Sequence, residues 1–285
     1  MASVAVRREI GRGLFAGDAV SHRMSLEIPP SPHADVATLH DIVAWRFPDE
    51  SAPVPAATDE LRRAVAVICV SEFTASEAVE FLGVQDPQVV PNGVDPRFFD
   101  AAPLDAAARA ELGLMGPYVL HAGGAAQRKN LAALAEAWPR VHREQPELML
   151  ALAGPPHDRR TALFDGMPGT VLLGRVADER MPGLVAAATA VVVPSLYEGF
   201  GLPVLEAMAA NTPVVAAETS SLPEVAGGAA ILVSPTPGGL AEGLLDAVGG
   251  GSAVLELVTA GRARAAEFTW ERSAAGHARV WAAVA

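Results

Sequence analysis

The sequence predicts an α/β protein built on parallel sheets with helices packed on both faces. Three observations carry that prediction. From about residue 117 onward, short apolar runs alternate with segments of helical spacing, the pattern of repeated βαβ units. Runs such as Ala190–Val193 are apolar throughout, as strands covered on both faces are. Glycine-rich spots follow the runs, so they would gather beyond the carboxyl ends of the strands, where ligands of such sheets sit.

Taken in order, the front part is the less regular. Residues 34–39 and 65–70 look like buried strands, with a Pro-rich loop at 48–55 between them. Residues 71–81 read as a helix capped by Ser71 or Thr74. Residues 89–94 run from a strand into a turn, and 96–117, with Pro103, Gly113 and Gly116, reads as an interdomain connection. Then the alternation sets in. A strand at 118–121 ends at Gly123-Gly124, and a helix over 130–143 puts Leu131, Leu134 and Trp138 on one face. Strands follow at 148–153, closed by Gly154-Pro155-Pro156, and at 171–173, closed by Gly174. A helix at 179–188 leads to strands at 190–193, 214–216 and 230–233, with helices at 203–210 and 240–248. Gly249-Gly250-Gly251 is a joint before the last helices.

Composition narrows the functions. The chain has 285 residues, 51% hydrophobic and 19% charged, enough for one large or two ordinary domains. Its 33 acidic side chains outnumber 21 basic ones, for a net charge of −12. A uniformly acidic chain is a poor nucleic-acid binder, though a local basic pocket for phosphate remains compatible with it. Cys69 is the single cysteine, so no disulfide forms within the chain; inside an apolar run it reads as a buried structural thiol. No apolar run reaches the ~18 residues of a membrane span. Arg7, Arg8 and Arg12 are not followed by the apolar core of a secretory signal. The expectation is a cytoplasmic protein. A peripheral contact with the inner membrane face stays open, with Arg7, Arg8, Arg12 and Arg23 too few to carry it. The seven histidines are scattered, so no metal site is expected, and no cofactor.

Segment 194–206 is the most informative. The apolar run ends at Pro194, a loop carries Glu198, Gly199 and Gly201, and Pro203 suits the first helical position, with Glu206 in the first turn. Glycines let the backbone approach a ligand, and the helix start attracts an anion such as a diphosphate. Carboxylates cannot bind phosphate, but they accept hydrogen bonds from sugar or ribose hydroxyls. Taken alone, such a glutamate can equally be a helix cap. Segment 121–130 adds a glycine turn, Gly123-Gly124, then Arg128 and Lys129 at a helix start. A guanidinium grips phosphate with two prongs and an ammonium adds a point charge. His40-Asp41 ends the strand 34–39, where an imidazole can hydrogen-bond a substrate or move a proton. Gly174-Arg175-Val176 follows another strand and could meet a nucleotide base through backbone atoms.

Together these segments resemble the retaining glycosyltransferases of family 4, the group 1 enzymes of the GT-B fold. The match runs through Thr38-Leu39-His40-Asp41, Val70-Ser71-Glu72, Val90-Pro91-Asn92-Gly93-Val94-Asp95, residues 123–130 and 194–213, Leu222-Pro223-Glu224-Val225, and Phe268-Thr269-Trp270-Glu271-Arg272. The resemblance implies two Rossmann-like domains facing a cleft: a shortened acceptor-side domain at 1–114, a nucleotide-sugar domain at 115–269, and a last helix at 270–285 crossing back to the first. It implies that Glu198 contacts donor-sugar hydroxyls and Glu206 the ribose. Arg128 and Lys129 would neutralise the diphosphate leaving group. Gly123, Gly124, Arg175, Val176, Phe200, Gly201 and Leu202 would line the donor, and His40 would sit near its sugar. The implied reaction moves a hexose of the mannose, glucose or rhamnose type from a nucleotide diphosphate sugar to a glycan, lipid-linked or small-molecule acceptor. Retention would be by front-face attack, without a metal. The absence of an Asp-x-Asp pair fits, since cation-dependent glycosyltransferases of the other common fold use one.

The chain departs from that pattern at Gln127 and Asn211, tolerably, and at the front more seriously. His40 comes early and no glycine-rich loop precedes it; Gly11-Arg12-Gly13 follows no strand. At roughly 30 residues per βαβ unit, about two units are missing by that comparison. The alternative expectation is therefore a truncated, non-catalytic binder of nucleotide sugar that needs a partner chain to complete the first domain. A third, a sugar-nucleotide epimerase of the same fold, is disfavoured by segment 197–206.

Overall fold

The computed structural model describes residues 4–17, 19–48 and 50–285. By its internal contacts the chain divides into two compact units, Met1–Gly93 with Trp270–Ala285, and Val94–Thr269. The stretch that reads as a connection, 96–117, packs largely within the second unit. Leu104 N donates to Gly183 O at 3.0 Å, and Arg180 reaches Ala108 O at 3.0 Å.

The first unit holds a four-stranded parallel sheet: β1 (Val20–Arg23), β2 (Ala34–Leu39), β3 (Ala66–Cys69) and β4 (Gln88–Val89), in that spatial order. β2 and β3 are the expected buried strands. β1 and the helix Val4–Leu14 escape sequence reading for a physical reason. β1 reads Val-Ser-His-Arg, without apolar alternation, because ion pairs and not apolar contacts bury its last residue. Arg23, 1% exposed, grips Asp35 at 2.7 and 2.9 Å and reaches Glu60 at 3.2 Å. Arg7 closes on the same Glu60 at 2.7 Å. Two of the four arginines weighed for a membrane surface are thus buried in an ion network.

Ser71 accepts the Thr74 amide at 3.0 Å and caps the helix Glu72–Glu77, which widens into a π turn over Ala78–Leu82. Cys69 is fully buried, and that burial pushes its thiol up to about 12. The last helix, Trp270–Val284, belongs to this unit. Its Gly276 lies on Val90 so closely that a Cβ would come within 2.6 Å of a valine methyl.

The second unit holds β5 (Tyr118–Ala122), β6 (Met149–Ala153), β7 (Thr170–Gly174), β8 (Ala190–Val193), β9 (Val214–Ala217) and β10 (Ile231–Val233). All pairs are parallel, in the order β10-β9-β8-β5-β6-β7. The chain adds strands on one side of β5, then returns to add β8 on the other. That reversal is the switch point at which doubly wound sheets open a crevice for ligands. Leu131, Leu134 and Trp138, predicted on one helix face, are fully buried on helix Leu131–Glu144 and pack with Leu240 and Leu244 of helix Pro237–Gly249. Gly250 and Gly251, both at positive φ, separate that helix from Ser252–Ala265. No single helix among the described residues is long and apolar enough to cross a membrane.

Candidate functional site

The loops after β5 and β8 leave the sheet on either side of the switch point, which brings residues some 70 positions apart into contact. After β5 the chain makes a 3-10 turn over Gln127–Lys129 and ends it at Asn130, in the left-handed conformation at φ 55°. This aims Arg128 and Lys129 at the loop after β8. Lys129 Nζ lies 2.6 Å from Glu198 Oε1, and Arg128 lies 3.4 Å from Oε2 and 3.2 Å from Tyr197 O. Ser195 Oγ donates to the same Oε1 at 2.7 Å. The three charged side chains are 11–19% exposed, so their attraction is little screened.

Backbone anchoring fixes the loops. Asn130 Nδ2 donates to Pro194 O at 3.0 Å and to Pro235 O at 2.8 Å, tying together the ends of β5, β8 and β10. Leu196 N donates to Arg128 O at 2.7 Å. The loop after β9 supports the loop after β8 from below. Thr219 Oγ1 donates to Ser195 O, Ser220 Oγ accepts the Glu198 amide, and Ser221 Oγ lies within 2.9 Å of both Glu198 O and Phe200 O. Gly201, at φ +106°, turns the chain into helix Leu202–Ala209; a Cβ there would stand 2.8 Å from a methyl of Leu222.

The chain is similar to known proteins. The family described as Glycosyl transferases group 1 matches residues 116–249. O-antigen chain mannosyltransferase B of Escherichia coli is 30% identical over 89% of this chain and 71% of that protein. The chain belongs to the group 1 glycosyl transferases. The MMP alpha-(1->4)-mannosyltransferase of Mycolicibacterium hassiacum is 32% identical over 56% of this chain, which spans 39% of that relative. The solved sucrose-phosphate synthase of Thermosynechococcus elongatus superposes with a TM-score of 0.76 at 22% identity, covering 98% of this chain and 76% of that one. That likeness fixes the fold as GT-B.

As a group 1 glycosyl transferase, the chain carries its anticipated donor residues unevenly. Arg128, Lys129 and Glu198 meet in the second unit, with Gly123 and Gly124 at the end of β5 and Phe200, Gly201 and Leu202 at the start of the helix. Phe200 is buried edge-on against Phe268, with ring centroids 5.8 Å apart. Glu206 is the fifth helical residue and not in the first turn: left-handed Gly201 caps the helix, so it starts at Leu202 and Pro203 is second. Burial, and then the charge of Asp95, raise the Glu206 carboxyl to about 7. Arg175 and Val176 follow β7, an edge strand two places from β5; Arg175 is exposed and Val176 buried. His40 lies in the first unit, exposed at the end of β2, while Asp41 caps the next short helix through the Val43 amide at 2.9 Å.

Several residues that build the site were assigned no role from sequence. Ser195, Asn130 and His121 lie inside segments 194–206 and 121–130, whereas Ser220, Ser221 and Arg160 lie outside every segment singled out. The three hydroxyls and Asn130 act on backbone atoms or on Glu198, and only the strand order shows what they face. Ser220, at φ 51°, stands in the polar run 218–221 after a strand.

Proposed function

We propose that the protein transfers a hexose from a nucleotide diphosphate sugar to a glycan, lipid-linked or small-molecule acceptor, with retention and without a metal, as a family 4 enzyme. The observation that carries this is the cluster of Lys129, Arg128, Ser195 and Glu198 at the switch point. It joins two cations suited to a diphosphate with a carboxylate suited to sugar hydroxyls. In this reading Arg128 and Lys129 stabilise charge as it develops on the leaving diphosphate, and Glu198 orients the sugar ring. Glu206 accepts from the ribose, and the amides near Phe200, Gly201 and Leu202 lie along sugar and phosphate. Gly123 and Gly124 allow the diphosphate close approach, and Arg175 and Val176 flank the base. His40 serves the donor sugar from the first unit. The leaving phosphate takes the acceptor proton, so no protein nucleophile is assigned. Both curated relatives compared above are named mannosyltransferases, which favours mannose as the sugar.

Calorimetric titration of the purified chain with GDP, UDP, ADP and their sugars, without metal, tests the reading. Binding of one nucleotide that weakens in Lys129→Ala supports it. Binding that ignores Lys129, or normal turnover in His40→Ala, removes the assigned roles. A second reading, a donor-binding chain that needs a partner for the acceptor side, is favoured by the four strands of the first unit against six in the second. Activity that appears only with a copurifying second glycosyltransferase chain would select it.

A further inference from the structure

His121 is the penultimate residue of β5, just before the glycine turn, and is 3% exposed. Its ring faces Gly123: a Cβ on that glycine would lie 3.5 Å from Cε1 and 3.9 Å from Nε2. Nδ1 is buried and has no hydrogen-bond partner. An orphaned ring nitrogen in a strand core is unfavourable, and an aliphatic or phenyl side chain would fill the space without it. The imidazole therefore calls for a use other than packing.

Its charged neighbours come from two elements. Arg160 stands on helix Asp158–Phe164 and Lys129 on the turn after β5, and Lys129 is in turn paired with Glu198 from the loop after β8. Arg160 is held by backbone carbonyls of Gly123 and Pro155, so it is fixed in place. Burial first, then these two cations, hold the imidazole down to about 3 in the free protein. A diphosphate seated on Lys129 would bring at least two negative charges, which offset the two cations and favour the protonated ring against its burial.

We propose that His121 is a third diphosphate-facing residue of the donor site, and that it takes a proton from solvent as a nucleotide diphosphate sugar binds. This rests on the donor reading of Arg128, Lys129 and Glu198. One N–H bond forms on the imidazole as the buffer acid gives up its proton and becomes its conjugate base, and donor affinity becomes linked to pH.

The test is calorimetry with GDP-mannose and UDP-glucose, whose diphosphates do not titrate near neutrality. Each is run at pH 6.5 in two buffers of different ionisation enthalpy, on the wild type, His121→Gln, His121→Phe and Lys129→Ala. Glu206, a donor-site carboxyl raised to about 7, adds its own proton change to every protein compared, so the result is read as a difference. The expected result is up to one proton more per bound donor in the wild type than in either His121 variant. Affinity should gain several-fold more from pH 8 to pH 6 in the wild type than in those variants. Donor binding with no such difference in affinity overturns the proposal. So does equal uptake in a His121 variant that melts like the wild type. If Lys129→Ala still weakens binding in those cases, only the role of His121 falls. If no donor binds the wild type, or Lys129→Ala binds unchanged, the donor reading falls first.

Discussion

The two units solve burial differently. The second is held by an apolar cluster in which Trp138, Leu131, Leu134, Leu150, Leu152 and Leu240 are fully buried, and it keeps a charged cluster for the switch-point loops. The first also buries large apolar side chains, Ile42, Leu61, Ile68 and Leu82 among them, but in addition sinks charge into its interior as Arg7, Arg23, Asp35 and Glu60. Its strands follow one another across the sheet in sequence order, so the described residues contain no switch point there. Apolar burial thus stabilises both units, and the first adds a network of matched buried charge.

The sharpest way to break that contrast is Arg23→Met. It leaves Asp35 and Glu60 buried beside a neutral side chain, a loss of about 3–5 kcal/mol for a broken buried ion pair. Hydrogen exchange should then speed up in β1 and β2 while nucleotide binding by the second unit holds. Equal loss in both units would end the contrast. Next is Lys129→Met, expected to remove about 1.5–3 kcal/mol of charge-assisted bonding, or roughly 10–100-fold in nucleotide affinity, with the first unit's exchange unchanged. Gly201→Ala is smaller. Left-handed backbone costs a residue with a Cβ about 1–2 kcal/mol, and Leu222 must yield as well, so the melting temperature should fall by several degrees.

The last effect appears only as pH is changed. Glu206 has its folded pKa raised from 4.5 to about 7, so the folded state binds more protons than the unfolded one between those values. Its contribution to stability is therefore present below about 4.5 and is lost as pH rises through about 7. Glu206→Gln should flatten that part of the stability–pH curve as read by chemical denaturation, and an unaltered slope would reassign it.

The same contrast explains what was legible in the sequence. The apolar runs of β5, β6, β8 and β9, and the helix face of Leu131, Leu134 and Trp138, are written in periodicity, because apolar burial leaves a pattern. The turn into the helix within 194–206 was readable because glycine and proline mark it. β1 was not readable, because a strand buried by Arg23 and Asp35 has no apolar rhythm. The register of helix Leu202–Ala209 was missed by one residue because the left-handed cap at Gly201 is a property of the backbone. Nor could the sequence show that Lys129 meets Glu198; that needs the order in which strands add to the sheet.

The fastening of the switch-point loops bears on how such a protein changes over generations. Asn130, Thr219, Ser221 and Arg160 all hold main-chain oxygens, those of Pro194, Pro235, Ser195, Glu198, Phe200, Gly123 and Pro155. A carbonyl is the same on every residue. The fasteners would keep their grip while side chains at 194–200 drift, so a lineage could alter what the loops present without first rebuilding the frame that presents it.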